Sequence, residues 1–357
     1  MLRKIFFRTA AVGLGLSFSL LLGEVIVRYK RPQVIGTSLS ALDEHLRKVL
    51  KPGVKGYKMH PNGYRYTFTH NLQGLRAFKE YLQGRVSWYR ILMLGDSFTY
   101  GFSVSDNETF PFFLQDICQR QDLSCEVINA GVGGTGTDYA LYFFQKLGWK
   151  FFPDIAILCF YYNDFFDNSQ GAYYIIGRDE KLYEQPLVKT SSLISSIFYK
   201  IQNTGWYDFL MKHSHLFCLL KNELSGYLSK SKNKLPGNPE RKITPQLIRL
   251  TQIYIRALRD HVMRNGSDFL VFYLPDYSEV ENFLRQGEVS EYETALRQIC
   301  ESEEIEFFSF NPIFAQLGEK FKSIYLGGDI HFSPYGNALV ARHIFDYLKG
   351  RISKSKN

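Results

Sequence analysis

Short apolar runs alternate with amphipathic segments over most of this chain, and this alternation is its clearest structural signal. Residues 90–96 (RILMLGD), 125–131 (CEVINAG) and 153–164 (PDIAILCFYYND) are apolar runs that end in glycine or polar residues, which is typical of buried strands. Residues 109–121 and 138–150 lie between them and carry apolar side chains at helical spacing. The third run is apolar on both faces, which predicts a central strand of a parallel sheet.

The same alternation resumes in the last third of the chain. Helical spacing over residues 245–266 and 290–303 alternates with strand-like runs over 268–275 and 305–310, and a last helix is predicted to begin at about Pro334. Strands that alternate with helices of this length predict a three-layer α/β/α fold with a mainly parallel sheet.

Breaks in the pattern give the domain organisation. Residues 1–31 predict a membrane anchor or uncleaved signal, and residues 32–88, which are rich in turn motifs, predict a lead-in segment that packs on the main domain. The main domain is predicted over residues 89–350, with a helical insertion at about 169–240, where the alternation fails. Residues 351–357 form a basic tail.

The predicted anchor contains an uncharged apolar stretch, residues 9–23, between Arg8 and Glu24. The stretch is shorter than the roughly 20 residues that a spanning helix prefers, but the two charged side chains can extend to the membrane interfaces. A signal anchor fits this pattern. A cleaved signal peptide is the main alternative, although no clear A-x-A cleavage site is present. Basic residues flank both ends, so charge alone does not give the orientation.

The formal net charge of +8 does not indicate a nucleic-acid partner. The basic residues concentrate near the N-terminus, in residues 230–242 and in the tail, which solvated loops and an anionic membrane surface explain at least as well. No zinc-finger spacing or RNA-recognition signature accompanies them. His213 and His215 form an H-S-H pair, which is more typical of a polar surface than of a metal site, so no metal is expected.

The five cysteines form no C-x-x-C pair, so neither a metal cluster nor a thioredoxin-like site is predicted. Cys159 lies inside an apolar run and is expected in the core. Cys118 and Cys125 bracket a predicted helix-to-strand loop and can form a local disulfide in an oxidising compartment.

The first candidate for chemistry is Gly95-Asp96-Ser97, directly after the first predicted strand of the domain. A tight strand-to-helix turn would place the Ser97 hydroxyl at the carboxyl edge of the sheet, near helix N–H groups that favour negative charge. The simpler alternative is that Asp96 and Ser97 only cap the following helix.

The second predicted strand ends in a glycine-rich loop in which Gly131, Gly133 and Gly136 spell the dinucleotide-binding pattern G-x-G-x-x-G. That pattern belongs in the first strand–helix turn of its unit, with an acidic residue after the next strand. Here a strand and a helix already precede the loop, and Asp154 comes before the next strand. Nucleotide binding is therefore disfavoured, and the glycines can equally bring a backbone N–H close to a substrate oxygen.

Polar residues also follow the third predicted strand and precede the last helix. Asn163 ends the strand and can donate its amide to an oxyanion, or it can satisfy nearby backbone as a loop residue. Asp329 and His331 are two residues apart in a loop, so their side chains can point to the same side. The carboxylate can then accept from one ring nitrogen while the other nitrogen faces a hydroxyl.

These four segments, GDSFTYG, NAGVGGTGTDYA, YYND and DIHFSPYGN, resemble in this order the blocks of the SGNH (GDSL-like) hydrolase family, which supply Ser, Gly, Asn and His in turn. The resemblance implies a flavodoxin-like SGNH hydrolase fold with Ser97 as nucleophile, His331 as general base and Asp329 as its orienting acid. It implies an oxyanion hole made by the Ser97 N–H, the Gly134 N–H and the Asn163 side chain.

Two features depart from the family pattern. Many members have D-x-x-H where this chain has D-x-H, which is interpreted as a subgroup feature. The second block contains adjacent glycines, so Gly134 is chosen by its position after Asn129, with Gly133 as the fallback.

The resemblance extends upstream, because NLQGLR and a membrane segment that ends in Glu and Arg are similar to the bacterial, membrane-anchored branch of the family. It implies a serine esterase or acyltransferase that forms an acyl-enzyme on Ser97 without metal or cofactor. The preferred substrates are O-acetyl esters of cell-surface carbohydrate, with the catalytic domain extracytoplasmic, in the periplasm or at the cell surface. A lipid esterase or thioesterase is the second expectation, and a non-catalytic carbohydrate-binding component that retains the fold is the third.

Overall fold

The computed structural model of the protein describes residues 2–42, 48–170, 173–177, 179, 181–184, 200–202, 204–230, 242–327 and 329–354. Large parts of the predicted insertion, most of the basic stretch 230–242 and the end of the basic tail therefore lie outside the described residues. The chain divides into two compact units. One contains residues 1–41, 56–66 and 190–237, and the other contains residues 42–55, 67–189 and 238–357.

The α-helices of the described residues, numbered in chain order, are α1 Leu2–Lys30, α2 Ser97–Tyr100, α3 Phe110–Arg120, α4 Thr137–Lys146, α5 Asp164–Asp167, α6 Gly205–His213, α7 His215–Lys230, α8 Pro245–Arg264, α9 Tyr277–Gln286, α10 Glu291–Ser302, α11 Asn311–Ala315 and α12 Pro334–Lys354. The strands are β1 Ile35–Gly36, β2 Ser40–Leu42, β3 Lys48–Leu50, β4 Lys55–Met59, β5 Arg65–Thr69, β6 Tyr89–Gly95, β7 Cys125–Asn129, β8 Ile155–Phe160, β9 Tyr174–Ile176, β10 Leu182–Glu184, β11 Asp268–Tyr273 and β12 Glu306–Ser309.

The second unit is built on a five-stranded sheet with the order β12-β11-β8-β6-β7, in which every neighbouring pair is parallel. All residues of β6 and β8 are buried, as the apolar runs of these strands require when both faces of a sheet are covered. The predicted α/β fold with a parallel sheet is confirmed. Because β6, β7 and β8 are adjacent and parallel, their carboxyl ends meet at one edge of the sheet.

A buried ion pair joins two of these strands near their amino ends. Arg90 on β6 is fully buried, and its Nε donates to Oε2 of Glu126 on β7 over 2.8 Å. Lys79 Nζ and Trp88 Nε1 also donate to the Glu126 carboxylate, over 2.6 and 3.2 Å. The carboxylate is thus held by several donors, as a buried charge must be.

The loop from α3 to β7 is closed by a disulfide between Cys118 and Cys125, whose Cα atoms are 6.3 Å apart. This separation lies within the range that disulfides span. The other three cysteines are buried thiols, and Cys159 lies in β8 as expected from its apolar run.

The first unit contains α1, which is long and apolar enough to cross a membrane. An 18-residue window within Arg3–Lys30 has a mean hydropathy of 2.0, and only 6% of that window is buried in the protein. In the same unit, Tyr207 and Met211 of α6 form a small core with Ile35 and Cys218.

Candidate active site

The turn that carries Ser97 is shaped by Gly95, the last residue of β6. Gly95 has a φ of +152°, and a Cβ at this position would lie 2.6 Å from the carbonyl oxygen of Cys159, so only glycine fits here. The chain then enters α2 directly, and the Asp96 carboxylate caps this helix by accepting from the Phe98 N–H over 2.9 Å. Ser97 is therefore the first residue of a helix that starts at the carboxyl edge of the sheet.

Ser97, His331 and Asp329 form a continuous hydrogen-bond chain. The His331 Nε2 atom lies 2.9 Å from Ser97 Oγ, and Nδ1 lies 2.6 Å from Asp329 Oδ1. The Asp329 and His331 side chains are mostly buried, and the rings of Phe98 and Phe102 each lie 5.1 Å from the imidazole. This is the arrangement in which an imidazole can take a proton from a serine hydroxyl.

The Asp329 carboxylate is stabilised as an anion. Burial opposes its ionisation, but the hydrogen bonds from His331 and Ser103 together with the charge of His331 outweigh burial and hold the pKa of Asp329 well below its usual range. An ionised Asp329 favours the imidazole tautomer that has its proton on Nδ1, because this N–H then donates to the carboxylate.

Ser103 is a site residue that the sequence did not indicate. Its hydroxyl donates to Asp329 Oδ2 over 2.5 Å, its side chain is fully buried, and its φ is +68°, in the left-handed region. The signal is absent from the sequence because Ser103 and Asp329 are 226 residues apart and meet only in the folded domain.

The glycine-rich loop after β7 passes beside Ser97. A Cβ on Gly133 would lie 3.3 Å from Ser97 Cβ, so the loop passes close to Ser97 and a side chain at Gly133 would be tightly packed against it. Gly134 has a φ of +69°, and the Lys48 ammonium donates to the carbonyl oxygen of Gly133. Both candidate glycines thus lie in the segment next to the serine, and Lys48 is a cation at this loop that the sequence did not indicate.

Asn163 lies between β8 and α5, at the same edge of the sheet. Its Nδ2 donates to Asp167 Oδ2 over 2.8 Å, and its amide also hydrogen-bonds to the buried Asp96 carboxyl. Among the described residues, its buried Oδ1 has no hydrogen-bond partner.

Buried carboxyl groups surround Asn163. Burial raises the pKa of Asp164 well above its usual range, and the nearby Asp96 and Asp167 raise it further. Burial also raises the pKa of Asp138 to about 7. The Thr137 hydroxyl donates to Asp164 Oδ2 over 3.1 Å. Burial therefore favours the neutral form of both carboxyl groups.

His213 and His215 do not come together with carboxylates as a metal site within the described part of the chain. His215 Nδ1 instead accepts from the backbone N–H of Gln33 over 2.9 Å. Burial lowers the pKa of His215, which favours this neutral, accepting form.

Several solved hydrolases have folds that align with this chain at low identity. The lipase/acylhydrolase from Enterococcus faecalis is 14% identical, with 74% of this chain and 96% of that chain covered and a TM-score of 0.43. The esterase EstA from Pseudoalteromonas sp. is 12% identical, with 74% of this chain and 98% of that chain covered and a TM-score of 0.40. An acetylxylan esterase, Axe2, from Geobacillus stearothermophilus is 13% identical, with 72% of this chain and 93% of that chain covered and a TM-score of 0.42. No curated protein matches the chain.

The sequence matches a protein-family model, and this match identifies the family. Residues 93–339, well over half of the chain, match the GDSL-like lipase/acylhydrolase family. The matched segment begins in β6, just before Ser97, and ends beyond His331, so it contains the whole hydrogen-bond chain. This protein belongs to the GDSL-like lipase/acylhydrolase family and is a hydrolase of the esterase type.

Proposed function

We propose that this protein is a serine esterase or acyltransferase in which Ser97 is the nucleophile, His331 the general base and Asp329 the group that orients His331. The observation that carries the proposal is the hydrogen-bond chain from Ser97 Oγ through both ring nitrogens of His331 to Asp329, with distances of 2.9 and 2.6 Å. A structural role alone does not require a serine hydroxyl, an imidazole and an ionised carboxylate in this sequence of contacts.

In the first half of the reaction, Ser97 Oγ attacks the acyl carbonyl carbon while its proton passes to His331 Nε2. The carbonyl π electrons move to oxygen and form a tetrahedral oxyanion. When the intermediate collapses, the bond to the alcohol oxygen breaks and the leaving alcohol takes the proton from His331. In the second half, water or an acceptor hydroxyl gives its proton to His331 and attacks the acyl carbon, and the bond to Ser97 Oγ breaks as Ser97 takes the proton back from His331.

The proposed oxyanion hole consists of the Ser97 N–H, the Gly134 N–H and the Asn163 amide. The N-terminal position of Ser97 in α2 and the closeness of the glycine loop to Ser97 support the two backbone donors. The two N–H groups of the Asn163 amide face Asp167 and Asp96 in this structure, so one of these bonds is exchanged for the bond to the oxyanion. Gly133 is the alternative to Gly134.

The proposed substrates are O-acetyl esters of cell-surface carbohydrate, with α1 as a membrane anchor and the catalytic domain on the extracytoplasmic side. The apolar length of α1 supports an anchor, and the Cys118–Cys125 disulfide supports an oxidising compartment.

Labelling with a fluorophosphonate tests the nucleophile. The wild-type chain should be labelled, Ser97→Ala should not be, and Ser278→Ala, which alters an exposed serine, should be labelled like the wild type. Labelling that persists in Ser97→Ala would contradict the proposal.

A panel of esters tests the substrate class. The panel contains acetylated oligosaccharides, aryl esters of short and long acids, and an acyl thioester, each with and without an acceptor sugar. Preferred turnover of the acetylated oligosaccharides is expected. Preferred turnover of long-chain esters or of the thioester would assign the same serine chemistry to lipid substrates instead.

A further inference from the structure

Glu24, near the end of the apolar stretch of α1, forms the N-terminal cap of a second helix. Its carboxylate accepts from Ser214 Oγ over 2.8 Å, from the His215 N–H over 3.0 Å and from the Leu216 N–H over 2.9 Å. The two N–H groups belong to the first turn of α7, where a carboxylate is favoured by the helix dipole. The acidic residue that interrupts the apolar pattern of α1 therefore holds the hairpin formed by α6 and α7.

Further contacts fix this hairpin at the end of α1 and just beyond it. Arg28 donates to the carbonyl oxygen of His213 at the end of α6 over 3.0 Å, and Arg31 pairs with Glu223 of α7 over 3.0 Å. A Cβ on Gly23 would lie 3.2 Å from a methyl group of Leu216, so the two helices are in close contact there. The α6–α7 turn is thus fixed at the level where the apolar part of α1 ends.

The hairpin presents apolar side chains on its outer faces. Trp206 and Phe209 of α6 are 76% and 52% exposed, while Tyr207 and Met211 on the opposite face form the core of the unit. The rings of Trp206 and Phe209 are 6.0 Å apart, on one face of the helix. Two more exposed apolar side chains, one turn apart on α7, are Leu220 and Leu224.

We propose that the α6–α7 hairpin lies on the lipid surface, with Trp206 and Phe209 in the interfacial layer of the membrane that α1 crosses. This inference rests on the proposed anchor. The lipid surface is the partner because the hairpin is hydrogen-bonded to α1 at Glu24, where the apolar stretch ends, and because tryptophan and other aromatic rings favour the headgroup region. The basic residues Arg28 and Lys30 in the last turn of α1 match an anionic lipid surface.

The test uses tryptophan fluorescence of the full-length chain. The chain has three tryptophans, so Trp88→Phe and Trp149→Phe together leave Trp206 as the reporter. The protein is reconstituted in vesicles of phosphatidylcholine and phosphatidylglycerol, with and without lipids brominated near the headgroup end of the acyl chains. Turnover of a water-soluble aryl ester shows that the variant is folded.

We expect brominated lipids to quench Trp206 and soluble iodide to quench it only weakly. A second reporter, Phe209→Trp in a chain that also carries Trp206→Phe, should respond in the same way, because both positions lie on one face. A chain that floats with the vesicles while both reporters are quenched by iodide and not by bromine would overturn this inference and leave the anchor intact. A chain that does not float would overturn the anchor, and this inference with it.

Discussion

Ser103 donates a hydrogen bond of 2.5 Å to Asp329 Oδ2, the carboxylate oxygen that is left free when Oδ1 is bound by His331 Nδ1. Both oxygens of Asp329, the proposed orienting acid, are therefore hydrogen-bonded, Oδ1 to the His331 imidazole and Oδ2 to the Ser103 hydroxyl. The carboxylate cannot rotate away from His331 without breaking the bond to Ser103. Ser103 adopts a left-handed φ of +68°, a conformation that is unfavourable for a residue with a side chain.

Replacing Ser103 tests whether this bond positions the acid. A hydrogen bond to a charged group contributes about 1.5–3 kcal/mol, so Ser103→Gly should lower kcat by roughly ten- to a hundredfold with little change in KM. Glycine accepts the left-handed backbone and so offsets part of the lost bond, and Ser103→Gly should melt at a higher temperature than Ser103→Ala. Ser103→Ala is the matched comparison, because it loses the same hydroxyl and keeps the unfavourable φ. Steady-state kinetics of both variants check this, and wild-type kcat in either would refute a positioning role.

Asn163→Ala tests the proposed oxyanion donor. Removal of such a donor typically lowers kcat by about a hundred- to a thousandfold, because its bond forms fully only in the transition state. Asp167→Asn is the control, since it changes the partner of the Asn163 amide and leaves the amide itself in place. Burst kinetics with an aryl ester separate acylation from deacylation. A change confined to KM would show that Asn163 binds the ground state.

Asp138 should make stability depend on pH. Its pKa in the folded state is about 7, whereas in the unfolded state it is 3.8. Below the unfolded value both states are protonated and the contribution to stability is fully present. As the pH rises, the unfolded state loses its proton first, so the free energy of unfolding falls until the pH passes the folded pKa.

Asp138→Asn removes this titration and keeps the acceptor oxygen that binds the Tyr139 N–H. Between about pH 5 and pH 8, the wild type should lose roughly 2–3 kcal/mol more stability than the variant, because one pKa unit corresponds to about 1.4 kcal/mol. Urea unfolding at a series of pH values measures the difference. Parallel stability profiles for the two chains would mean that Asp138 is ionised throughout this range.

The buried pair of Arg90 and Glu126 should be far more sensitive to single than to double substitution. Removing one partner of a buried ion pair typically lowers the free energy of unfolding by about 3–5 kcal/mol, whereas replacing both partners by apolar residues of similar volume is often neutral. Arg90→Met should therefore destabilise the protein strongly, and Arg90→Met combined with Glu126→Leu should destabilise it much less. Lys79→Met, which removes the exposed partner of Glu126, should cost about 1 kcal/mol or less. Equal losses in the single and double Arg90 variants would show that the charges are not coupled.

The sequence predicted the parts of the site that depend on local pattern. Apolar runs located the strands, and Gly95-Asp96-Ser97 at the end of one run gave the position of the serine, because parallel strands bring their carboxyl ends to one edge. The D-x-H spacing predicted that the side chains of Asp329 and His331 point to the same side, and in the structure His331 Nδ1 lies 2.6 Å from Asp329 Oδ1.

Other parts depend on contacts that no local pattern records. Ser103 follows α2 and Lys48 begins β3, where the neighbouring sequence gives no signal of a site, and their partners are distant in the chain. The sequence indicates Glu24 only as the charged end of an apolar stretch, whereas in the structure it also caps α7, a helix that begins almost 200 residues later. Such contacts follow from the folded topology and become visible only with it.

The coupling of Arg90 and Glu126 also constrains how this chain can change over generations. The two positions are 36 residues apart in sequence, yet a substitution at either one leaves a buried charge without its main partner. A substitution at only one of the two positions is therefore selected against, and we expect the two residues to be retained together or replaced together. In any lineage where an apolar residue has replaced Arg90, the acid at position 126 should have been replaced as well.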